Sequence, residues 1–158
     1  MLRANSKKEI LGYIQDKSDF RAGFKEFAEL CSKSKIKLII ASKGLDFTLK
    51  YAFKVNGMKP PILLCPKATL DRRFQKWNVT FPSLATAGFR NFKEALVHSF
   101  KKRGHSVCFI GDDGYDFWAC KRSDLVFAVK NSSLDRECLL MSLPHIPFKD
   151  FAELLKCC

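Results

Sequence analysis

The sequence predicts an α/β fold with parallel strands layered between helices, and three observations carry that expectation. Short, wholly apolar runs alternate with segments whose apolar residues recur at helical spacing. Two of the apolar runs pass directly into small-residue loops, Ser42-Lys43-Gly44 and Gly111 through Asp116. The chain has 158 residues, 47% of them hydrophobic and 28% charged, which suits one globular domain with a core of its own.

The elements follow in order. Ser6-Lys7-Lys8-Glu9 has the form of a capping box opening a helix through about Gln15. Phe24, Phe27, Ala28 and Cys31 share one face of a second helix, Ala22 to Ser32. Ile36 to Ala41 reads as a buried strand, and Leu45 to Val55 as a helix stopped by Asn56-Gly57. Pro60-Pro61 breaks any helix before a short strand, Ile62 to Cys65. Residues 68–82 read as extended, with Val79-Thr80-Phe81 the best strand among them. A helix from Phe92 to Arg103 ends at Gly104, and Ser106 to Ile110 is the clearest buried strand. A helix, a strand Leu125 to Val129, and helices over 134–141 and 148–156 complete the chain. The expected parallel sheet contains 36–41, 106–110 and 125–129.

Composition narrows the function classes. No run approaches the roughly 20 apolar residues of a membrane span, and the first nine residues lack the apolar centre of a secretory signal, so a cytoplasmic location is expected. The seven cysteines at 31, 65, 108, 120, 138, 157 and 158 contain no pair separated by two residues. Most lie in apolar surroundings and read as buried free thiols, and Cys157-Cys158 matches no prenylation box. The net charge of +12 favours phosphorylated or polyanionic ligands, although the basic residues are spread along the chain as on an ordinary solvated surface.

The candidate chemistry lies in the loops beyond the strands' carboxyl ends, where open parallel sheets gather ligands. Asp112 and Asp116 flank a glycine-containing turn, so both carboxylates can face one point, and hard oxygen donors with room for water and a phosphate oxygen suit Mg2+. The same residues are equally those of a polar turn with helix-capping aspartates. Ser42 and Gly44 stand at a strand-to-helix junction, where a hydroxyl and free helix N–H groups make an anion site. A serine cap and a turn glycine would look the same. Lys93, at the start of its helix, could balance phosphate and carboxylate charge or simply be solvated.

Taken together and in this order, the three signals resemble the phosphoserine-phosphatase-like branch of the haloacid-dehalogenase phosphatases. Ile36 to Phe47, with Ser42-Lys43-Gly44, resembles the second motif, whose hydroxyl bonds the substrate phosphate. Asn91-Phe92-Lys93 is similar to the third, and Gly111-Asp112-Asp113-Gly114-Tyr115-Asp116 to the fourth, a metal-binding Gly-Asp-x-x-x-Asp. Cys120 to Ala128 fits the continuation, and Pro144 to Phe151 is similar to the tail of the methylthio-ketopentenyl-phosphate phosphatases.

The resemblance spans about residues 20–156. It implies a three-layer, Rossmann-like parallel sheet in a core domain over 20–158, with 1–19 a remnant of the cap or its linker helix. Asp112 and Asp116 would then hold Mg2+, and Ser42, Gly44 and Lys93 would hold the phosphate of a small phosphorylated substrate.

Two departures stand out. Asp113 and Tyr115 occupy positions where the branch often carries smaller, uncharged residues. The chain also contains no Asp-x-Asp, the motif that supplies the family's nucleophile and its acid–base partner. The expected fold therefore lacks the first central strand and most of the helical cap; the strands that would flank the gap pair directly, another segment or a partner chain fills it, or the chain is a fragment of a longer product. The expected function is a Mg2+-dependent phosphomonoester hydrolase, truncated and of little activity alone. The alternatives are a non-catalytic remnant that binds a phosphate ligand or a partner, and a basic nucleic-acid-binding module.

Overall fold

Four helices of this protein end in the same way, with a residue in the left-handed region closing a pair of hydrogen bonds. In the computed structural model, which describes residues 7–71, 73, 76–82 and 87–156, Gly57 and Gly104 take that position at φ 64 and 81. Lys35 and Ser142 take it at φ 56 and 51. After the helix Asp46–Val55 (α3), for example, Met58 N–H reaches Phe53 O at 2.9 Å and Gly57 N–H reaches Lys54 O at 3.0 Å. Glycine has no Cβ to clash there, which is why Asn56-Gly57 and Gly104 were legible as stops. Ser6 of the predicted capping box and the Cys157-Cys158 pair lie outside the described residues.

The chain divides into two compact units, Met1–Pro82 and Ser83–Cys158. The first opens with helices Lys7–Lys17 (α1) and Phe24–Lys33 (α2). Strands Ile39–Ala41 (β1) and Ile62–Leu64 (β2) then run parallel, Ile39 opposite Ile62, with α3 as the crossover. Residues 68–82, expected to be extended with Val79-Thr80-Phe81 the best strand, contribute to an antiparallel pair of Lys67–Asp71 (β3) and Lys76–Thr80 (β4). Its Trp77 ring stacks on Phe47 of α3 at 5.3 Å. The unit's core holds Phe24, Cys31, Phe53 and Cys65, and Phe20 lies 5.0 Å from Phe24 and 4.8 Å from Phe53 between ring centres. Helix α1 buries none of its residues; it is linked to α3 by a 2.9 Å bond from Tyr51 Oη to Gln15.

The second unit begins with the helix Phe92–Lys102 (α4) and the strand Cys108–Gly111 (β5). A single 3-10 turn, Gly114–Asp116, leads into the short helix Phe117–Cys120 (α5). Then come strand Leu125–Val129 (β6), helix Ser133–Leu140 (α6), strand Ile146–Phe148 (β7) and helix Phe151–Leu155 (α7). The sheet order is β5-β6-β7, all parallel. Val126 and Ala128, two apart on the central strand, turn one face into a core with Phe117, Cys120, Leu134 and Cys138.

β1 pairs with β2 in the first unit, and β5, β6 and β7 form the parallel ladder of the second. One expectation needs correction. The segment read as helix from 148 begins as strand β7, and its helix starts only at Phe151, capped by Asp150. Pro147, opposite Ala128, lacks an N–H and so disguises the strand; it is tolerated because β7 is the sheet edge.

Candidate functional site

In the second unit the carboxyl end of β5 runs into the acidic turn, and close packing holds that junction. A Cβ on Gly111 would lie 3.0 Å from Asp116 Oδ2, 3.0 Å from Phe109 and 3.2 Å from Leu134, so only glycine lets the Asp116 carboxylate come so near the strand. The turn is pinned on its other side by α6. Asp112 O accepts from Leu134 N–H and from Ser133 Oγ, both at 3.1 Å, while Gly114 N–H donates to Ser133 Oγ at 2.8 Å. Asp113 caps the 3-10 turn by accepting from Tyr115 N–H.

Lys93 and Asp116, chosen separately from the sequence, meet here. Lys93 Nζ lies 2.6 Å from Asp116 Oδ1, with only 12% and 4% of the two side chains exposed. Burial pushes the Asp116 carboxyl up from its ordinary value; Lys93 opposes this, and the neighbouring charges of Asp113 and Asp112 add to it. The turn is thus a place of concentrated negative charge with one buried cation under it. Asp112 is exposed on the same turn.

The first turn of α4 that presents Lys93 is itself tied down. Asn91 caps it, accepting from Glu94 N–H at 3.0 Å, and its Nδ2 donates to Tyr115 O at 2.8 Å. Buried Glu94 accepts from Arg90 N–H and from Arg122 Nε, each at 2.7 Å. Burial raises the Glu94 carboxyl, but those bonds outweigh it and hold the group below its ordinary value. Sequence reasoning named Asn91 only as part of the Asn91-Phe92-Lys93 motif, and it passed over Glu94, Arg122 and Ser133. The pattern Asn91-x-x-Glu94 is a helix-start signature and is the signal that could have found Glu94.

Ser42 and Gly44 belong to the first unit. Ser42 N–H extends the ladder by bonding Leu64 O at 3.0 Å, and its Oγ accepts from Gly44 N–H at 3.0 Å. Ser42 is therefore not the helix cap; that position falls to Leu45, with no side-chain bond. A hydroxyl that accepts from Gly44 keeps its own O–H to donate to an anion. A Cβ on Gly44 would meet Ser42 Oγ at 3.3 Å, which explains the glycine. A cleft of about 460 Å3 at the opposite, amino ends of β1 and β2, lined by Lys25, Lys37, Lys59, Ile36, Met58 and Pro60 among others, contains none of the predicted residues.

Among the described residues, no three His, Cys, Asp or Glu side chains gather as a metal cage. Mg2+ does not require one, because it keeps several waters and uses one or two carboxylates plus substrate phosphate. An exposed Asp112 beside the buried Asp116 fits that donor set. The five described cysteines are free thiols; burial raises Cys65, Cys120 and Cys138, as expected of small apolar fillers. No helix among the described residues is long and apolar enough to cross a membrane.

No family model matches the chain. Over 157 residues it is 29% identical to the bifunctional enzyme MtnB/MtnX of Bacillus licheniformis, covering 97% of this chain and 36% of that enzyme. It is 26% identical to the 2-hydroxy-3-keto-5-methylthiopentenyl-1-phosphate phosphatases of Bacillus pumilus and Geobacillus kaustophilus, covering 98% of this chain in each case. The chain is thus similar, over nearly its whole length, to phosphatases. The resemblance expected over about residues 20–156 is matched by that extent. The chain spans about a third of the bifunctional relative's length, and 66% and 70% of the other two.

Proposed function

We propose that this chain carries phosphate-binding and metal-binding residues of a phosphomonoester hydrolase acting on a small phosphorylated metabolite, with Mg2+ as its cofactor. The observation that carries the reading is the buried Lys93–Asp116 pair, which sits under an acidic turn at the carboxyl end of a parallel strand. The similarity to phosphatases supports it.

In the first unit, Ser42 and the Gly44 turn offer a hydroxyl donor to a phosphate oxygen. In the second, Asp112 and Asp116 would hold Mg2+, with Lys93 opposing the upward push that burial gives the Asp116 carboxyl and its ammonium also offsetting phosphate charge. The metal, when bound, neutralises charge developing on the phosphoryl oxygens. Neither Lys93 nor the acidic turn provides an attacking group, and the 158 residues contain no Asp-x-Asp. That absence favours a second reading, ligand binding without turnover, which uses the same residues.

Calorimetry tests the shared part. Wild type should bind Mg2+ weakly and Asp112→Asn more weakly; equal affinities would remove Asp112 from the site. Lys93→Ala should weaken vanadate binding by about tenfold or more, the effect of losing one charge-assisted hydrogen bond.

A further inference from the structure

We propose that Asn91 is a positioning residue whose amide clamps the first turn of α4 to the Gly114–Asp116 turn and so keeps Lys93 on Asp116. The functional weight of that ion pair rests on the reading above; the clamp itself rests on geometry. Asn91 Oδ1 accepts from Glu94 N–H at 3.0 Å, and Nδ2 donates to Tyr115 O at 2.8 Å. Lys93 follows Asn91 by two residues and Asp116 follows Tyr115 by one, so a single amide ties both backbones that bear the pair.

A long lysine side chain loses rotamer freedom when its ammonium is held 2.6 Å from one carboxylate oxygen, and holding both backbones favours that geometry. Glu94 adds a second strut. Its buried carboxylate joins Arg90 N–H on the near side of α4 to Arg122 beyond α5. Asn91 uses the two ends of its amide, accepting at Oδ1 and donating at Nδ2. A serine hydroxyl would have to serve both partners from one atom on a side chain an atom shorter, and ionised aspartate only accepts.

Asn91→Ser and Asn91→Asp separate the clamp from ordinary capping, because Asn, Asp and Ser cap helices about equally well. Hydrogen exchange of the Lys93 ammonium, followed by nitrogen-15 NMR on the 158-residue chain, reads the clamp without any ligand. Exchange should accelerate about tenfold in Asn91→Ser, as for the loss of one hydrogen bond. It should accelerate further in Asn91→Asp, where a carboxylate faces the Tyr115 carbonyl, while the Glu94 amide stays protected in both. Unchanged Lys93 exchange in both variants overturns the proposal. So does loss of Glu94 protection in parallel with Lys93, which would make Asn91 a plain cap. Vanadate and Mg2+ titration of the wild type forms a separate arm. If the exchange order holds and the wild type binds no vanadate, the clamp stands and the phosphatase reading falls.

Discussion

Gly111 and Glu94 show how single residues set the acidic turn. At Gly111 the backbone is ordinary and the constraint is space, with Asp116 Oδ2 and Phe109 each 3.0 Å from where a Cβ would sit. Gly111→Ala should therefore cost about 1–3 kcal/mol in urea unfolding, as overpacking does, and should displace Asp116 from Lys93. Glu94 is a buried carboxylate with both oxygens occupied, and its folded pKa lies below the ordinary 4.5. A depressed carboxyl contributes stability that is complete above its unfolded pKa and is lost as pH falls through the folded value. Urea midpoints should thus decline on acidification below about pH 4.5. Glu94→Gln should be less stable at neutral pH and should flatten that decline. An unchanged acid slope would show that Glu94 does not drive it.

At the scale of elements, the repeated helix ending makes a different prediction. Lys35 and Ser142 hold left-handed backbone without being glycine, at φ 56 and 51. Ser142 follows α6 and delivers Leu143 N–H to Cys138 O at 2.9 Å, so the conformation is enforced by the turn. Left-handed geometry costs an L residue about 1–2 kcal/mol, partly offset by the greater freedom glycine loses on folding. Ser142→Gly should accordingly raise stability by about 0.5–1 kcal/mol, and Gly104→Ala should lower it, both read by thermal melting. Just beyond Ser142, half-buried His145 bonds Asp135 at 2.8 Å and Leu143 O at 2.9 Å, fixing the approach to β7. The hydrogen bond from His145 is the main cause that holds the Asp135 carboxyl below its ordinary value, against its burial.

For the whole molecule, the prediction is an absence of chemistry. Phosphoryl transfer through a covalent intermediate needs a nucleophile in line with phosphorus and an acid that reaches the leaving oxygen. No Asp-x-Asp stands in the 158 residues. Asp113 caps the acidic turn by accepting from Tyr115 N–H. An assay of this chain with p-nitrophenyl phosphate and Mg2+ should show little or no turnover beside a complete relative. Robust turnover abolished by Asp113→Asn would show that a different carboxylate attacks.

The sequence by itself determined the elements with strong local patterns. Strand 125–129 and the ends of α3 and α4 emerge where expected, because apolar runs and left-handed glycines act over a few residues. It also singled out Lys93, at a helix start, and Asp112 and Asp116, four apart in a turn, as candidates, and the structure brings Lys93 to Asp116. It could not show which strands pair, since a run such as Ile39–Ala41 suits any parallel neighbour and backbone hydrogen bonds carry no side-chain code. Nor could it show the bonds from Asn91 to Tyr115 and from Glu94 to Arg122, which join residues 24 and 28 apart. Only the tertiary structure decided those, because packing α4 against the turn and α5 brings the partners within reach and buries Glu94 once they have met.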